Sequence, residues 1–430
     1  MKTVLMTKCE APFSRIKQLI PLNCFHYMSV MRFQPSEHFR RSISSPHGSW
    51  RVFLSDTLII DFKMQVLYIP CYWFKKNKPL VEEYIMTKAM QAALITHYKQ
   101  AVPEIQNVPL PTVRPNDVLV RIVAASINPI DLKTKDGKLR LLLKYQMPLI
   151  LGSDFSGIVT KVGTNVTRFK VGDAVFGRPQ KDRIGTFADF LAIDQHDIAL
   201  KPSRLTFEEA AALPLVSLTS YQALHDLMHL TPGQKILIQA GAGGVGTVAI
   251  QIAKALGAEV ATTTSSQNIA FVKSLGADHV IDYHRVPFQD VLSDYDGVFA
   301  TLGDTNLANA FQIVKPGGMI VSVSGIPDEK FSDAYNVPIW KKVAFRLANR
   351  RISKLARKTG VSYRFLFMHP SGSELKKISE FVGSDKLRPI IDRIFPFAEL
   401  PKAFGYSQAG HAKGKIILKL VDNPSSLLQV

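Results

Sequence analysis

Short apolar segments rich in β-branched residues follow one another from residue 90 to about residue 200. Glycine and proline separate these segments, and no helical pattern lies between them. A run of strands without intervening helices predicts a compact, β-rich domain. The segments with this pattern are MQAALITH, DVLVRIVAASI, FSGIVTKVG, DAVFG and FADFLAI.

The pattern changes near Thr206, where a helical composition begins. Thr206 has the side chain of an N-cap, and acidic residues follow it in the first turn. Short apolar strands then alternate strictly with amphipathic helices, which predicts a parallel sheet with helices on both faces. The predicted strands are 235–240, 259–263, 279–283, 297–301 and 319–324. A further strand, helix and strand are predicted in RPIIDRIFPF, AELPKAFGY and KGKIILKL.

Residues 1–85 show no sustained helical or strand periodicity and support two interpretations. Their arginine- and serine-rich part is typical of a mitochondrial presequence. Alternatively, Val81, Glu82 and Glu83 can be encoded by a purine-rich run that would form a bacterial ribosome-binding site. Translation would then begin at Met86 or Met90. We favour this second interpretation, in which residues 1–85 are a mis-assigned or disordered extension and the protein is cytoplasmic.

The composition is that of a folded protein, since 46% of the 430 residues are hydrophobic and 20% are charged. No window offers the roughly 18 uninterrupted apolar residues of a membrane span. The closest window is broken by Asp61 and Lys63. All three cysteines precede residue 86, so a disulfide framework is not expected and the remaining chain has no thiolate metal ligand.

The formal net charge of +18 raises the question of a polyanionic partner. The densest basic run is 340–360, which contains no acidic residue. We interpret this run as a solvated helix face rather than a nucleic-acid site. A cationic entrance that attracts a phosphorylated cofactor is a third interpretation.

A G-x-G-x-x-G motif at Gly241, Gly243 and Gly246 lies between a predicted strand and a predicted helix. The helix has one apolar face and is followed by Gly257, where a C-cap glycine belongs. This context predicts a dinucleotide pyrophosphate on the helix N-terminus. The alternative is a tight turn without a ligand. Four glycines in six positions favour binding, and the predicted contacts are Gly241, Gly243, Gly244, Val245 and Gly246.

The end of the second predicted strand selects between NADH and NADPH. An acidic residue here binds the ribose 2′-hydroxyl of NAD. Residues 261–268 contain no acid but include Ser265 and Ser266, whose hydroxyls can donate to a 2′-phosphate. The sequence therefore favours NADPH. Tyr283, which ends the third predicted strand, adds a hydroxyl to the same pocket.

Several of these segments, in this order, resemble the medium-chain dehydrogenase/reductase superfamily, in its zinc-independent quinone oxidoreductase branch. The segments that carry the resemblance are INPIDLKTKDG, PLILGSDFSGIVTKVG, KVGDAVFG, GTFADFLAI, GAGGVGTVAIQIAKALGAEV and SLGADHVIDY. The C-terminal region from residue 386 is similar to reticulon-interacting oxidoreductases. The resemblance implies an α/β fold, with a GroES-like catalytic domain interrupted by a doubly wound Rossmann domain. The implied domains are 86–212 (GroES-like, first part), 213–329 (Rossmann, NADP-binding) and 330–430 (return to the catalytic domain).

The comparison with zinc-dependent relatives implies chemistry without a metal. Those relatives carry a cysteine near the position of Asn128 and a Gly-His-Glu sequence where this chain has Gly152, Ser153 and Asp154. A zinc ion would polarise an alcohol or a ketone. Its absence suits substrates that are already activated, such as quinones and enones.

The resemblance also assigns roles to single residues. Asn128 and Asp131 would lie near the nicotinamide, with Asn128 bonded to a substrate carbonyl and Asp131 either orienting it or forming a plain turn. Thr219 would pack beside the nicotinamide or bond its own helix. Lys413 would reach the cofactor phosphates or be an exposed loop lysine. Hydride would leave the nicotinamide, and a proton would come from water or a hydroxyl.

We therefore predict an NADPH-dependent, zinc-independent oxidoreductase that transfers hydride to a small-molecule quinone or related α,β-unsaturated carbonyl compound. An enoyl or alkenal double-bond reductase of the same fold is the alternative. An RNA-binding or structural role has only the net charge in its favour, so a nucleic-acid partner is not expected. A homodimer is usual for this branch. Tyr145, Phe365 and Phe367 are either pocket residues or packed aromatics.

Overall fold

A computed structural model of the chain describes residues 57–62, 65–70, 89–335, 337–410 and 412–422. The chain divides into two units, 1–89 and 90–430. In the first unit, strands β1 (Thr57–Phe62) and β2 (Gln65–Pro70) pair antiparallel. These two strands are not predicted from the sequence pattern. The interpretations of residues 1–85 as a presequence or as upstream sequence rest mainly on residues outside the described ones and stay predictions.

The first part of the second unit is rich in strands, as predicted, but it also contains a helix at Pro129–Lys135, where the sequence predicted none. Its elements are β3 (Ala89–Ile95), β4 (Glu104–Pro109), β5 (Asp117–Ile127), α1 (Pro129–Lys135), β6 (Leu149–Ile150), β7 (Asp154–Val162), β8 (Ala174–Gly177), β9 (Phe190–Asp194) and β10 (Ile198–Leu200). Alternate residues of the central strand β5 bury apolar side chains against the core of this domain.

The helical segment after residue 205 forms two helices, α2 (Phe207–Ala211) and α3 (Pro214–Tyr221), and a π-helical turn (Gln222–Leu227) continues α3. Thr206 caps α2 as predicted, since its hydroxyl accepts a hydrogen bond of 3.1 Å from the Glu209 N–H. The break between the helices comes at Pro214, which has no N–H to continue α2 and suits the first turn of a new helix.

The alternating region forms a six-stranded parallel sheet. Its elements up to the fifth strand are β11 (Lys235–Ile238), α4 (Gly244–Ala255), β12 (Glu259–Thr264), α5 (Ile269–Ser274), β13 (His279–Asp282), β14 (Tyr295–Ala300), α6 (Asp304–Ile313) and β15 (Val314–Ser322). The spatial order begins β13-β12-β11-β14-β15, so the direction of winding reverses beside β11. Ligands of such sheets bind at this reversal, outside the carboxyl ends of the strands.

Three surface helices separate the fifth strand from the sixth. They are α7 (Glu329–Ala334), α8 (Ile339–Ala348) and α9 (Arg350–Thr359), and β16 (Ser362–Phe365) follows as the edge strand. The predicted Rossmann boundary at residue 329 leaves this strand out. Four residues between a basic helix and a proline-containing loop carry too little periodicity to be recognised as a strand. The remaining domain boundaries stay predictions.

The chain then returns to the β-rich domain. Its last elements are α10 (Gly372–Gly383), β17 (Ile391–Pro396), α11 (Leu400–Ala409) and β18 (Lys415–Lys419). Within the larger sheet of this domain the strand order is β10-β8-β7-β5-β18-β17, with β9 also paired to β5. Because β18 lies antiparallel to the end of β5, with Ile416 opposite Ile127, residue 415 enters the region just after β5.

Candidate active site and cofactor cradle

Two close backbone approaches shape the glycine loop between β11 and α4. A Cβ atom on Gly241 would lie 2.2 Å from Thr262 Oγ1, and one on Gly246 would lie 2.2 Å from the Ala240 carbonyl oxygen. These distances are far below van der Waals contact, so both positions require glycine. Gly243 is less crowded, because its Cβ would lie 3.3 Å from the nearest atom. The loop thus packs tightly on the sheet side while leaving room at its tip.

The tip of the loop opens helix α4. Gly243 is the N-cap, and Gly244 and Val245 begin the first turn with partial exposure. Unpaired N–H groups at a helix N-terminus bind phosphate oxygens. The five predicted residues of the motif therefore lie together in an arrangement that fits a dinucleotide pyrophosphate, and their contact with a cofactor stays a prediction.

The loop that precedes β18 contacts the glycine loop. Gly414 forms a parallel bridge with Gly243, and its N–H donates to the Ala242 carbonyl over 3.2 Å. Lys413 is exposed, and its backbone N–H donates to Asp392 Oδ1 over 3.0 Å. The proposed reach of the Lys413 side chain to the phosphates stays a prediction. The bridge joins the cofactor cradle directly to the strand that follows.

A buried polar network lies where β5, β7 and β18 meet. Asp154 is fully buried, and its Oδ2 accepts hydrogen bonds from Ser126 Oγ (2.8 Å), Asn128 Nδ2 (2.9 Å) and Lys415 Nζ (3.1 Å). Its Oδ1 accepts the Leu215 N–H of α3 over 2.8 Å. Lys415 also donates to Asn128 Oδ1. The network therefore holds both the nitrogen and the oxygen of the Asn128 amide.

Asp131 adjoins this network from the first turn of α1. Its carboxylate accepts the Asn128 backbone N–H over 2.8 Å and the Ser153 hydroxyl over 2.8 Å. Burial raises the pKa of Asp131 to about 7, even though both hydrogen bonds and the Lys415 charge lower it. The negative charge of Asp154 raises that pKa further. The Asp131 carboxyl thus caps a helix and itself titrates near neutral pH.

Thr219 lies on α3, which leads from this network to the glycine loop. It is buried, and its hydroxyl donates to the Leu215 carbonyl over 2.6 Å. This is the second of the two sequence interpretations, a helix hydroxyl bonded to its own backbone. The place of Thr219 beside the nicotinamide stays a prediction.

An acidic residue from the neighbouring strand lies beside the end of β12. Ser265 and Ser266 follow the strand, and the Ser266 hydroxyl donates to the carboxylate of Asp282 at the end of β13. That hydrogen bond lowers the pKa of Asp282, and the His284 N–H (3.1 Å) and the Arg285 guanidinium (3.4 Å) also contact the carboxylate. Tyr283 is 58% exposed. The neighbouring strand therefore supplies an acid beside the serines.

A cavity of about 740 Å³ lies between the loop 141–146 and helices α7 and α8. Tyr145 and Phe367 line it together with Lys181 and Tyr335, and its identity as the substrate pocket stays a prediction. Lys181 Nζ donates to the Tyr335 hydroxyl over 2.7 Å and to the Phe367 carbonyl over 3.2 Å. The same ammonium lies 3.5 Å from the centroid of the Phe367 ring. Phe365 instead packs edge-to-face on Phe331. The cavity thus combines flat aromatic walls with three lysine side chains, those of Lys144, Lys181 and Lys341.

A buried cation, Arg178, acts on Lys181 through its charge. Arg178 is 2% exposed, its Nη1 donates to the Pro179 carbonyl over 3.2 Å, and its Nε has no hydrogen-bond partner among the described residues. Burial lowers the pKa of Lys181 to about 7, and the Arg178 charge lowers it further. Arg178 also interacts electrostatically with Asp154 and Asp131. Its field therefore spans the polar network and the aromatic cavity.

Several of these residues were missed by sequence reasoning. Lys415 and Asp282 reach the site only through strand pairing, and Arg178 and Lys181 lie in a short loop without a recognisable motif. The nearby Lys413 gave no signal for Lys415, because Lys413 is exposed whereas Lys415 is buried two residues later. Within the described residues, no group of three or more histidine, cysteine, aspartate or glutamate side chains is placed to hold a metal ion.

Two family descriptions match the chain. Residues 114–203 match "Alcohol dehydrogenase GroES-like domain", and residues 275–418 match "Zinc-binding dehydrogenase". These matches fall on the β-rich domain and on the parallel sheet with the returning chain. They support the predicted fold class.

Individual relatives point in the same direction. The human mitochondrial "NAD(P)H oxidoreductase RTN4IP1" is 32% identical over 82% of this chain and 96% of its own length. The Arabidopsis thaliana chloroplastic "NADPH-dependent alkenal/one oxidoreductase" is 31% identical over 73% of this chain and 74% of its own. Among solved structures, the Coxiella burnetii quinone oxidoreductase has a TM-score of 0.66 and 33% identity, covering 78% of this chain and all of that one.

Proposed function

The chain is an oxidoreductase of the medium-chain dehydrogenase/reductase superfamily, in its reticulon-interacting and quinone oxidoreductase branch, and from that premise we propose its substrate and mechanism. It uses a nicotinamide cofactor. We propose that it reduces quinones or α,β-unsaturated carbonyl compounds with NADPH and without zinc. The main observation in support is the bridge between Gly243 and Gly414. It joins the phosphate cradle to β18, whose first residue, Lys415, belongs to the buried polar network.

The contacts of the Asn128 amide decide which role we propose for this residue. The cofactor, when bound, supplies the hydride. The Asn128 Nδ2 group already donates to Ser126 O (3.2 Å) and to Asp154, and its Oδ1 accepts from Lys415. We therefore assign Asn128 a positioning role rather than the substrate contact expected from the sequence. Rigid side chains of this kind hold a reacting pair in register.

The substrate contact falls instead to the aromatic cavity. Quinones and enones are flat, and their oxygen gains negative charge as hydride arrives at carbon. The Lys181 ammonium, between the rings of Phe367 and Tyr335, can donate to such an oxygen. Lys181 or the adjacent Tyr335 hydroxyl would then pass on the proton that completes the reduction.

Zinc independence rests on what replaces the metal ligands. Asn128 and Asp154 lie where zinc relatives carry the cysteine and the Gly-His-Glu sequence, and the Lys415 ammonium contacts both side chains, 3.1 Å from the Asp154 carboxylate. A buried ammonium at that point repels a divalent cation and already neutralises the carboxylate. Metal analysis of the purified protein, together with turnover in the presence of a chelator, tests this part directly. Stoichiometric zinc, or activity lost on chelation, contradicts it.

The preference for NADPH is supported by the hydroxyls of Ser265 and Ser266 and by Arg285 beside them. Asp282 opposes it, because a carboxylate repels a 2′-phosphate. Its charge is, however, engaged by Ser266 and Arg285. We expect Ser266→Ala to reduce the preference for NADPH, while Ser274→Ala, on the far end of α5, leaves it unchanged.

The decisive assay follows oxidation of NADPH and of NADH against a panel of quinones, enals and enones with the full-length protein. Turnover of quinones supports a quinone reductase, and turnover of enals or enones alone supports a double-bond reductase. Turnover of none of these compounds contradicts the proposed substrate class. A cytoplasmic location, a mitochondrial one and a homodimer remain predictions. Fractionation of the native protein and sedimentation velocity measure them.

A further inference from the structure

Helix α8 presents an apolar face to solvent. Its exposed side chains include Ile339 (75%), Trp340 (61%), Val343 (50%) and Leu347 (64%). At 100° per residue these positions fall within one third of the helix circumference. They therefore form one continuous apolar surface, which we name the α8 face.

Helix α8 turns its apolar side to solvent, which is the reverse of the usual arrangement. A surface helix normally buries its apolar stripe and exposes its charges. In α8 it is Lys341, Lys342 and Phe345 that are partly buried, and Lys341 contacts the Leu141 carbonyl through its ammonium. Among the described residues nothing covers the α8 face. Packing within the domain therefore does not account for these four side chains.

The next helix, α9, places positive charge beside the α8 face, since Arg350 and Arg357 line the same surface pocket as Ile339 and Val343. The run 340–360 contains eight lysines and arginines and no acid. Two of its cations pair with acids of neighbouring α7: Lys342 with Asp333 and Arg346 with Glu329, each over 2.7 Å. The cations of α9 are exposed and form no ion pair within the described part of the chain: Arg350, Arg351, Lys354, Arg357 and Lys358. Ile352 anchors the helix by its buried side chain.

We propose that α8 and α9 form a docking surface for an anionic phospholipid membrane. Apolar side chains with a tryptophan, next to unpaired lysines and arginines, are the composition of helices that lie in the bilayer interface. The apolar side chains would enter the headgroup boundary, while the α9 cations would meet the lipid phosphates. The attachment is peripheral, since no helix among the described residues is long and apolar enough to cross a bilayer.

Charge and shape favour a lipid surface over other occupants. A second copy of the chain would bring the same five exposed cations of α9 against this surface, which is repulsive. A nucleic acid would pair with the cations but offers no site for exposed isoleucine, valine and leucine. Lipid satisfies both the charged and the apolar part. This inference does not depend on the proposed reaction.

Vesicle sedimentation of the full-length protein tests the proposal. Vesicles of phosphatidylcholine alone are compared with vesicles of phosphatidylcholine and phosphatidylglycerol, at low and at high salt. We expect binding to the anionic vesicles only, weakened by salt. The three tryptophans are at 50, 73 and 340, so Trp50→Phe/Trp73→Phe leaves Trp340 as the reporter. Its emission should shift to shorter wavelength on binding, which an ionic contact alone would not cause.

Three variants separate the two parts of the surface. Arg350→Gln/Arg351→Gln/Lys354→Gln should weaken binding about a hundredfold, at about fivefold for each cation. Trp340→Ser/Val343→Ser/Leu347→Ser should weaken it at least about tenfold. The control, Lys273→Gln/Lys376→Gln/Lys386→Gln, removes the same charge from exposed positions elsewhere and should change binding little.

Unchanged cofactor oxidation shows that these variants are folded. Absence of binding to anionic vesicles overturns the proposal, as does equal weakening by the control, which would indicate a response to net charge alone. Loss of a dimer in Trp340→Ser/Val343→Ser/Leu347→Ser, without vesicle binding by the wild type, would assign the surface to a second copy. Retention of RNA instead of vesicles would assign it to a nucleic acid.

Discussion

Replacement of Lys415 by methionine removes the cation from the buried polar network while keeping the length of the side chain. Asp154, which is fully buried, then loses its only ion pair among the described residues. Removing one partner of a buried pair costs about 3–5 kcal/mol. Asp154 keeps three hydrogen bonds, from Ser126, Asn128 and the Leu215 N–H. We therefore expect the lower end of the range, about 3 kcal/mol of the free energy of unfolding.

Urea unfolding followed by far-ultraviolet circular dichroism measures this loss. The double variant Lys415→Met/Asp154→Asn removes both charges and should recover most of the lost stability, because the penalty comes from an unpaired charge. Lys413→Met is the matched control, since Lys413 is exposed two residues away and should change stability by less than about 0.5 kcal/mol. The reasoning is refuted if Lys415→Met behaves like the control. It is also refuted if the double variant is no more stable than the single one.

Further substitutions test the rest of the site. The pKa of Asp131 is raised to about 7, so between about pH 4 and pH 7 the native state keeps a proton that the unfolded chain has lost. The free energy of unfolding therefore falls as the pH rises through this range. Asp131→Asn should flatten this fall when unfolding by urea is measured at several pH values. Lys181→Met should lower kcat/KM for a quinone about tenfold or more. In the wild type, kcat/KM should decline above pH 7, where Lys181 loses its proton, and this decline should be absent from the pH profile of the variant. Gly246→Ala should destabilise the fold in thermal unfolding, whereas Gly243→Ala should keep the fold and weaken NADPH binding measured by calorimetry. Asp282→Asn should raise the ratio of kcat/KM with NADPH to that with NADH, and an unchanged ratio would place the 2′-phosphate elsewhere.

The parts of the fold that the sequence predicts are those set by local periodicity. The strand before Gly241 and the one-faced helix after it are each encoded within about a dozen residues, so the position of the cradle follows from the sequence alone. The boundary at Pro214 was missed because the helical composition runs continuously through it. Strand β16 was missed for the opposite reason, since four residues carry too little pattern.

The chemistry of the site depends on contacts that no local pattern encodes. Lys415 lies 261 residues from Asp154 and 287 from Asn128 in the chain, and only the pairing of β18 with β5 brings them together. The end of β12 itself carries no acid to bind the ribose. The parallel register places Thr264 beside Asp282, so the neighbouring strand supplies the carboxylate. A residue's position in a sheet is thus a better guide to its role than its distance along the chain.

The proposed independence from zinc also has a structural basis. Asp154 joins the β-rich domain to α3 through the Leu215 N–H, and a buried carboxylate in that position requires a cation. Lys415 meets the requirement from within the chain, so the domain connection does not depend on a bound metal. An ammonium held by Asn128 and Asp154 cannot act as a Lewis acid toward the substrate. We infer that activation must then come from the substrate's own conjugation and from the Lys181 cavity, which favours quinones and enones over simple alcohols.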